Sequence, residues 1–167
     1  MLVLKRLNDI ILSIFFLFVI SPIMIVAAIA IKLDSKGPIL FTSIRVGYNN
    51  KNFKMLKLRT MFIDTELVES NEIKDANKKI TNVGKILRKF SIDEFPQFLL
   101  VIIGRMSIVG PRPALPIQIQ LIEERTKLGI HKIKPGITGY AQINGRDNIS
   151  MKHKLIYDQI YLNKRSF

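Results

Sequence analysis

The stretch from Ile10 to Ile31 constrains this chain more than any other, because 22 consecutive residues carry no charge and Ser21-Pro22 interrupts them near the middle. At about 1.5 Å of rise per residue, a straight helix of that length matches the roughly 30 Å hydrocarbon core of a bilayer. Pro22 removes a helix donor and leaves the Phe18 carbonyl without its partner. That costs about 3 kcal/mol, which membrane helices tolerate where a Ser or Thr hydroxyl takes up the carbonyl. Ser21 can do this by bonding back to Leu17 or Phe18. Each half alone, about 16 Å of helix, reaches only the bilayer midplane.

Three readings of the segment compete. A Pro kink does not prevent a single span. A cleaved signal peptide would use Lys5 and Arg6 as its basic start and Ala28-Ile29-Ala30 as its cleavage site, but the apolar run exceeds the usual ~7 to 15 residues. A re-entrant hairpin would return the chain to the side from which it entered. Lys5 and Arg6 before the segment and Lys32 and Lys36 after it make both ends cytoplasmic by the positive-inside rule, which favours the hairpin.

The residues after Ile31 suffice for a single domain with its own core. With no Cys, disulfides, thiolate metal sites and a Cys nucleophile are excluded. The two His residues, His131 and His153, show no metal-binding spacing and offer little material for a Ser-His mechanism. The net charge of +13 calls for an anionic partner. Nucleic-acid binding would add aromatic stacking platforms, yet there is no Trp, and most Phe lie in or beside apolar runs. Beside a membrane segment, the basic excess reads as a face on anionic lipid.

Gly37-Pro38 ends the first helix, and Ile39 to Val46 with Asn52 to Thr60 reads as a β-hairpin around Gly47-Tyr48-Asn49-Asn50. Ile63 to Lys79 is polar and reads as an exposed helix or loop. Ile80, Val83, Leu87 and Phe90 fall at helical spacing with basic residues elsewhere around the turn, consistent with a basic amphipathic helix on the membrane surface or an ordinary domain helix. Phe95 to Ile103 is apolar but too short to span, so it is either core or interfacial. Ala114 to Leu128 has a helix-like pattern, Lys134 to Arg146 is a glycine-rich loop, and Ile149 to Asn163 predicts a terminal helix.

Asp93 and Glu94 are neighbouring carboxylates at the start of an apolar stretch. Ser91-Ile92-Asp93-Glu94 fits a capping box, with Ser91 as N-cap and Glu94 at N3. An ionised Asp93 is also a nucleophile that needs no general base, provided cations or a metal ion offset its repulsion from a phosphate. Arg112, restrained between Pro111 and Pro113, has a planar fork suited to phosphate. Arg88 precedes Asp93 by five residues, and Lys57 and Arg59 share a strand face at period two.

Taken in order, these segments resemble the bacterial sugar transferase family, the monotopic polyprenyl-phosphate phosphoglycosyl transferases. The matching stretches are Lys5-Arg6 with Asp9, Ser21-Pro22, Gly37-Pro38, Arg45-Val46-Gly47, Lys57-Leu58-Arg59-Thr60-Met61 and Arg88. They continue through Ser91 to Gln97, Ser107 to Pro113 and Lys134 to Arg146. The resemblance implies an α+β fold in which residues 1–36 form a re-entrant helix-break-helix anchor turned by Ser21 and Pro22. Residues 37–167 would be a small, mostly helical catalytic domain with a short β-hairpin and interfacial amphipathic helices, at the cytoplasmic face of the bacterial inner membrane.

The implied reaction moves a sugar 1-phosphate from a UDP-sugar to undecaprenyl phosphate, releasing UMP by a ping-pong route. Asp93 would form the phosphosugar intermediate, assisted by Glu94, with Mg²⁺ on the diphosphate near Asp93. Lys57, Arg59, Arg88, Arg112, Gln142 and Arg146 would bind substrate. Membrane lipids and downstream glycosyltransferases are implied as partners, and nucleic acid is not. Met151 stands where relatives commonly have Trp, and Asp147 where Asn often follows the Gly-Arg pair. Relatives tend to continue beyond the equivalent of Phe167 with a further apolar or amphipathic stretch, so a C-terminal truncation is expected. The competing function is a non-catalytic, membrane-anchored basic module.

Overall fold

In a computed structural model, residues 2–63, 79–145 and 148–164 are described. The order is α1 (Leu2–Asp34), β1 (Leu40–Val46), β2 (Asn52–Leu58), α2 (Asn82–Lys89), α3 (Gln97–Ile102), β3 (Ser107–Val109), α4 (Ile119–Lys127), β4 (Gly136–Thr138), α5 (Tyr140–Ile143) and α6 (Met151–Lys164). Short 3-10 turns lie at Tyr48–Asn50, Ile92–Glu94 and Ile130–Lys132. This is the mixed helix and sheet architecture expected, with a long apolar helix first.

α1 is assigned as one helix with Pro22 inside it, so Ser21-Pro22 does not interrupt the element. The Ser21 hydroxyl donates to the Phe18 carbonyl at 2.8 Å, the group that Pro22 deprives of a partner. Only 11 % of its most apolar stretch is buried, and Phe18 and Val26 stand in the open. By length and composition α1 is capable of crossing a membrane.

The expected hairpin forms, as β1 and β2 make a two-stranded sheet. Their connection takes left-handed backbone at Asn49 (φ 52°) and Asn50 (φ 57°), where a short amide side chain is tolerated best.

The chain divides into two compact units, and α1, β1 and β2 each contribute to both. The first comprises Met1–Phe16, Ser43–Met55 and Gln97–Phe167. Its centre is the parallel pair β3 and β4, with Ser107 opposite Gly136 and Val109 opposite Thr138. Parallel pairing requires a long crossover, which α4 supplies. A Cβ on Gly136 would lie 2.1 Å from the Gly110 nitrogen, so the two backbones meet only because neither residue has a side chain. Arg125 on α4 donates to Asp158 on α6 at 2.6 and 3.0 Å and to the Arg112 carbonyl at 2.8 Å. Tyr161 on α6 donates to the Val109 carbonyl at 2.8 Å.

The second unit comprises Leu17–Thr42 and Leu56–Pro96. Its core is Ala27, Ile31, Leu58 and Leu87, packed by Met24, Ile39, Val83 and Ile92. The predicted amphipathic helix is α2, with Leu87 inside. Phe90, expected on the same apolar face, is instead 61 % exposed at the C-terminal cap of α2, where its N–H still bonds the Ile86 carbonyl at 3.2 Å.

Helix α4 begins at Ile119 rather than near Ala114. Ala114 is bridged to Val46, and the Leu115 N–H donates to the Gln118 side chain at 2.9 Å. Within α3, Phe98, Leu100 and Val101 are buried, as the core reading of this stretch expects, while Leu99 is half-exposed.

Candidate active site

The second unit builds a carboxylate site from its helix ends inward. Thr81 caps α2, its hydroxyl accepting from the Gly84 N–H at 3.0 Å, while Asp34 accepts from the Val83 N–H at 2.9 Å. These bonds satisfy donors that every helix start leaves open. α2 then presses against Thr60, and a Cβ on Gly84 would come within 2.1 Å of the Thr60 carbonyl. At that close approach the Thr60 hydroxyl accepts from Arg88 Nε at 2.9 Å, fixing the guanidinium.

The chain after α2 does not form the expected capping box. Ser91 adopts left-handed backbone (φ 56°) and makes no side-chain cap bond. The Glu94 N–H bonds the Ser91 carbonyl at 3.2 Å instead, because a 3-10 turn rather than an α-helix starts there. Freed from that role, Glu94 accepts from Lys57 Nζ at 2.7 Å, and the same ammonium lies 3.8 Å from Asp93. Asp93 is 6 % exposed.

Burial pushes the Asp93 carboxyl above the ordinary carboxylate range, Lys57 opposes that shift, Glu94 adds to it, and Arg88 and a backbone N–H oppose it. Burial also lowers the Arg88 guanidinium, against the pull of Asp93. The outcome is a desolvated carboxylate with one carboxylate neighbour and two cations acting on it.

Lys57, Arg88, Asp93 and Glu94 are thus brought together. Arg59 is buried with its hydrogen bonds elsewhere, to the carbonyls of Ser35 at 2.8 Å, Ile31 at 3.4 Å and Lys36, at the end of α1. Arg112 and Gln142 belong to the first unit. Arg112 lines a shallow pocket with Asn50, Ile122, Arg125 and His131. Gln142 donates to the Ile137 carbonyl at 2.9 Å, and its side-chain oxygen is buried without a hydrogen-bond partner among the described residues. Arg146 and most of the Ile63 to Lys79 stretch lie outside the described residues.

Sequence reasoning missed Thr60, Thr81 and Gly84 as supports of this site. Thr81 was legible as a Thr just before a helical run. No local pattern marks Thr60 or Gly84, which matter because two backbones meet.

The whole chain, residues 1–167, matches the family model for bacterial sugar transferases. The chain belongs to that family. It is 42 % identical over 171 residues to the UDP-glucose:undecaprenyl-phosphate glucose-1-phosphate transferase of Klebsiella pneumoniae, covering 96 % of this chain and 36 % of that protein. It is 43 % identical over 145 residues to the Escherichia coli K12 protein of the same name, covering 85 % of this chain and 31 % of that one. With the uncharacterized sugar transferase EpsL of Bacillus subtilis strain 168 it shares 40 % identity over 166 residues, covering 99 % and 81 %. The chain thus spans about a third of the length of these two glucose-1-phosphate transferases and most of the Bacillus protein.

Proposed function

We propose that this family member transfers a sugar 1-phosphate from a UDP-sugar to undecaprenyl phosphate. The observation that carries the reading is the buried Asp93 carboxylate with Glu94 beside it and the Lys57 ammonium reaching both. The names of the relatives at about 40 % identity supply the reaction class.

In the first step an Asp93 oxygen attacks the sugar-bearing phosphorus. A bond forms between that oxygen and phosphorus, the bond to the bridging oxygen breaks, and UMP leaves with the electron pair. In the second step an oxygen of undecaprenyl phosphate attacks the same phosphorus, giving the lipid diphosphate sugar and restoring the Asp93 carboxylate. Lys57 and Arg88 offset the charge that gathers as an anion attacks an anion. Burial desolvates Asp93, which strengthens those interactions. Arg112, Gln142 and Arg146 are proposed as substrate contacts on the resemblance alone, while Arg59 holds the end of α1.

Mg²⁺ fits as a partner of the substrate. Among the described residues no three metal-ligating side chains converge, but two adjacent carboxylates, each raising the negative charge felt by the other, suit the usual mode of one or two carboxylates plus phosphate oxygens. Bound by Asp93 and Glu94, the ion would neutralise the diphosphate and the departing UMP.

Residues 1–36 act as the anchor and 37–167 carry the chemistry, with α1 entering and leaving on the cytoplasmic face of the inner membrane. Matching charges at both ends of the apolar stretch support that course. The chain has no cysteine, so a single one placed at Leu2 reports topology unambiguously. Protection of it from an impermeant periplasmic reagent is expected, and labelling would rule the hairpin out. For the chemistry, a UDP-sugar labelled in the sugar-bearing phosphate should leave hydroxylamine-labile label on the protein when lipid acceptor is absent, and release UMP. Release of UDP, or label that survives Asp93→Asn, would overturn the reading.

A further inference from the structure

The first turns of α1 carry two neighbouring cations, Lys5 and Arg6. Lys5 pairs with Asp9 at 3.0 Å and hydrogen-bonds Ser107. Asp9 is buried and also accepts from the Ser107 hydroxyl at 2.8 Å and the Ile108 N–H at 3.3 Å, so its carboxylate is fully engaged. Arg6 donates to the carbonyls of Val101 at 2.6 Å and Ile102 at 2.8 Å, closing the end of α3. A guanidinium has five N–H donors, so each terminal nitrogen of Arg6 keeps another.

Lys134 is half-buried and makes neither a hydrogen bond nor an ion pair among the described residues. Burial lowers its ammonium, Arg6 and Lys5 lower it further, and Asp9 opposes them. A desolvated ammonium beside like charges is an unfavourable arrangement unless an anion completes it.

Gly104 leaves the space for that anion. A Cβ there would lie 3.4 Å from Arg6 Nη2 and 3.5 Å from Lys134 Nζ, so a side chain would fill the gap between the two cations. Its left-handed backbone (φ 83°) also closes α3, which alone would account for glycine. The cations flanking the vacant side-chain position are the independent observation. Val3, Leu4 and Leu7 on α1 and Leu99 and Ile103 around α3 are exposed apolar side chains, so the charge sits beside a surface suited to acyl chains.

We infer that Arg6 and Lys134, across Gly104, bind the phosphodiester of an anionic phospholipid. With Lys5 paired to Asp9, Arg6 and Lys134 leave two positive charges, since the carbonyls that Arg6 meets carry none. A phosphodiester has two non-bridging oxygens, one for each cation, and no third anionic oxygen left without a partner, as a monoester would have. The site rests on α1 being embedded in lipid and is independent of the chemistry at Asp93.

The test uses the full chain in neutral detergent, titrated with phosphatidylglycerol or phosphatidylcholine and read by native mass spectrometry. Wild type should retain phosphatidylglycerol in preference. Lys134→Gln should weaken that retention roughly tenfold, the scale of one charge-assisted hydrogen bond. Gly104→Asn, which tolerates left-handed backbone while filling the gap, should do the same. Lys127→Gln removes an equal charge from an exposed Lys paired with Glu124 and should change nothing. Equal loss in Lys127→Gln, unaltered retention in both Lys134→Gln and Gly104→Asn, or no lipid preference in wild type would overturn the site. Displacement by inorganic phosphate, or preference for a lipid phosphomonoester, would overturn its assignment to a phosphodiester. Flotation with neutral vesicles separates this from failure of the anchor, which would strand every variant alike.

Discussion

The Lys57 ammonium stands 3.8 Å from the Asp93 carboxylate, and it is the largest influence opposing the rise that burial imposes on that acid. In the proposed mechanism Lys57 has two roles to separate by experiment, holding Asp93 ionised and meeting phosphate charge. Asp93→Asn should lower transfer by at least about a thousandfold and abolish covalent label, as loss of a nucleophile does. Lys57→Met should cost roughly a hundredfold in kcat/KM while leaving label detectable at long times. Single-turnover release of UMP measures both.

The pH profile should report the same carboxylate. The acidic limb of kcat/KM for UDP-sugar should lie above the ordinary Asp range, because burial raises Asp93. Lys57→Met removes an influence that lowers it, so the limb moves to higher pH, whereas Glu94→Gln removes one that raises it, so the limb moves lower. A limb indifferent to both changes assigns it to another group.

Stability should carry the opposite sign. The folded-state value of Asp93 lies above its unfolded value, so the folded chain binds the proton more tightly. That contribution is complete below about pH 3.9 and is lost as pH rises through the folded value. Asp93→Asn should therefore melt higher than wild type near neutrality, and the gap should close on acidification. Thermal unfolding across that pH range in one detergent checks it.

Gly84→Ala tests the close approach that holds Arg88. With the Thr60 carbonyl 2.1 Å from the new Cβ, α2 must move, at a cost of about 1–3 kcal/mol. Activity should fall further than stability alone explains, because Arg88 loses its bond to Thr60. A melt within experimental error of wild type would show that α2 does not press on Thr60.

Asp158→Ala strands Arg125 in the first unit. Burial raises the Asp158 carboxyl and Arg125 opposes that, so the pair is held by geometry in a desolvated place. Removing one partner of such a pair typically costs about 3–5 kcal/mol. Urea unfolding should show the loss, and Asp158→Asn should recover part of it through hydrogen bonding.

The elements with strong local chemistry were legible in the sequence. Asn49 and Asn50 marked the turn of the hairpin, Gly37 the end of α1, and the spacing of Val83 and Leu87 the inward face of α2. The Ser21 bond to Phe18 followed from what Pro22 removes. What failed needed backbone detail that residue types do not encode. Ser91 has the composition of an N-cap, but its left-handed conformation starts a 3-10 turn and releases Glu94 to Lys57. Lys57 lies on β2 but Arg59 falls just past its end at Leu58, so the expected shared strand face does not form: Lys57 reaches the acids, and Arg59 meets three carbonyls at the end of α1. Arg125 and Asp158 are 33 residues apart, and no local period links them.

The exposed apolar faces of α1 bear on how rates should be counted. With Phe18 80 % and Leu33 83 % exposed, the proposed anchor would keep the protein and its lipid acceptor within one shared amphiphile phase. The relevant concentration of acceptor is then its mole fraction in that phase, not its molarity in the tube. Adding inert detergent at constant protein and acceptor should slow transfer by surface dilution, while the step that consumes water-borne UDP-sugar is left unchanged.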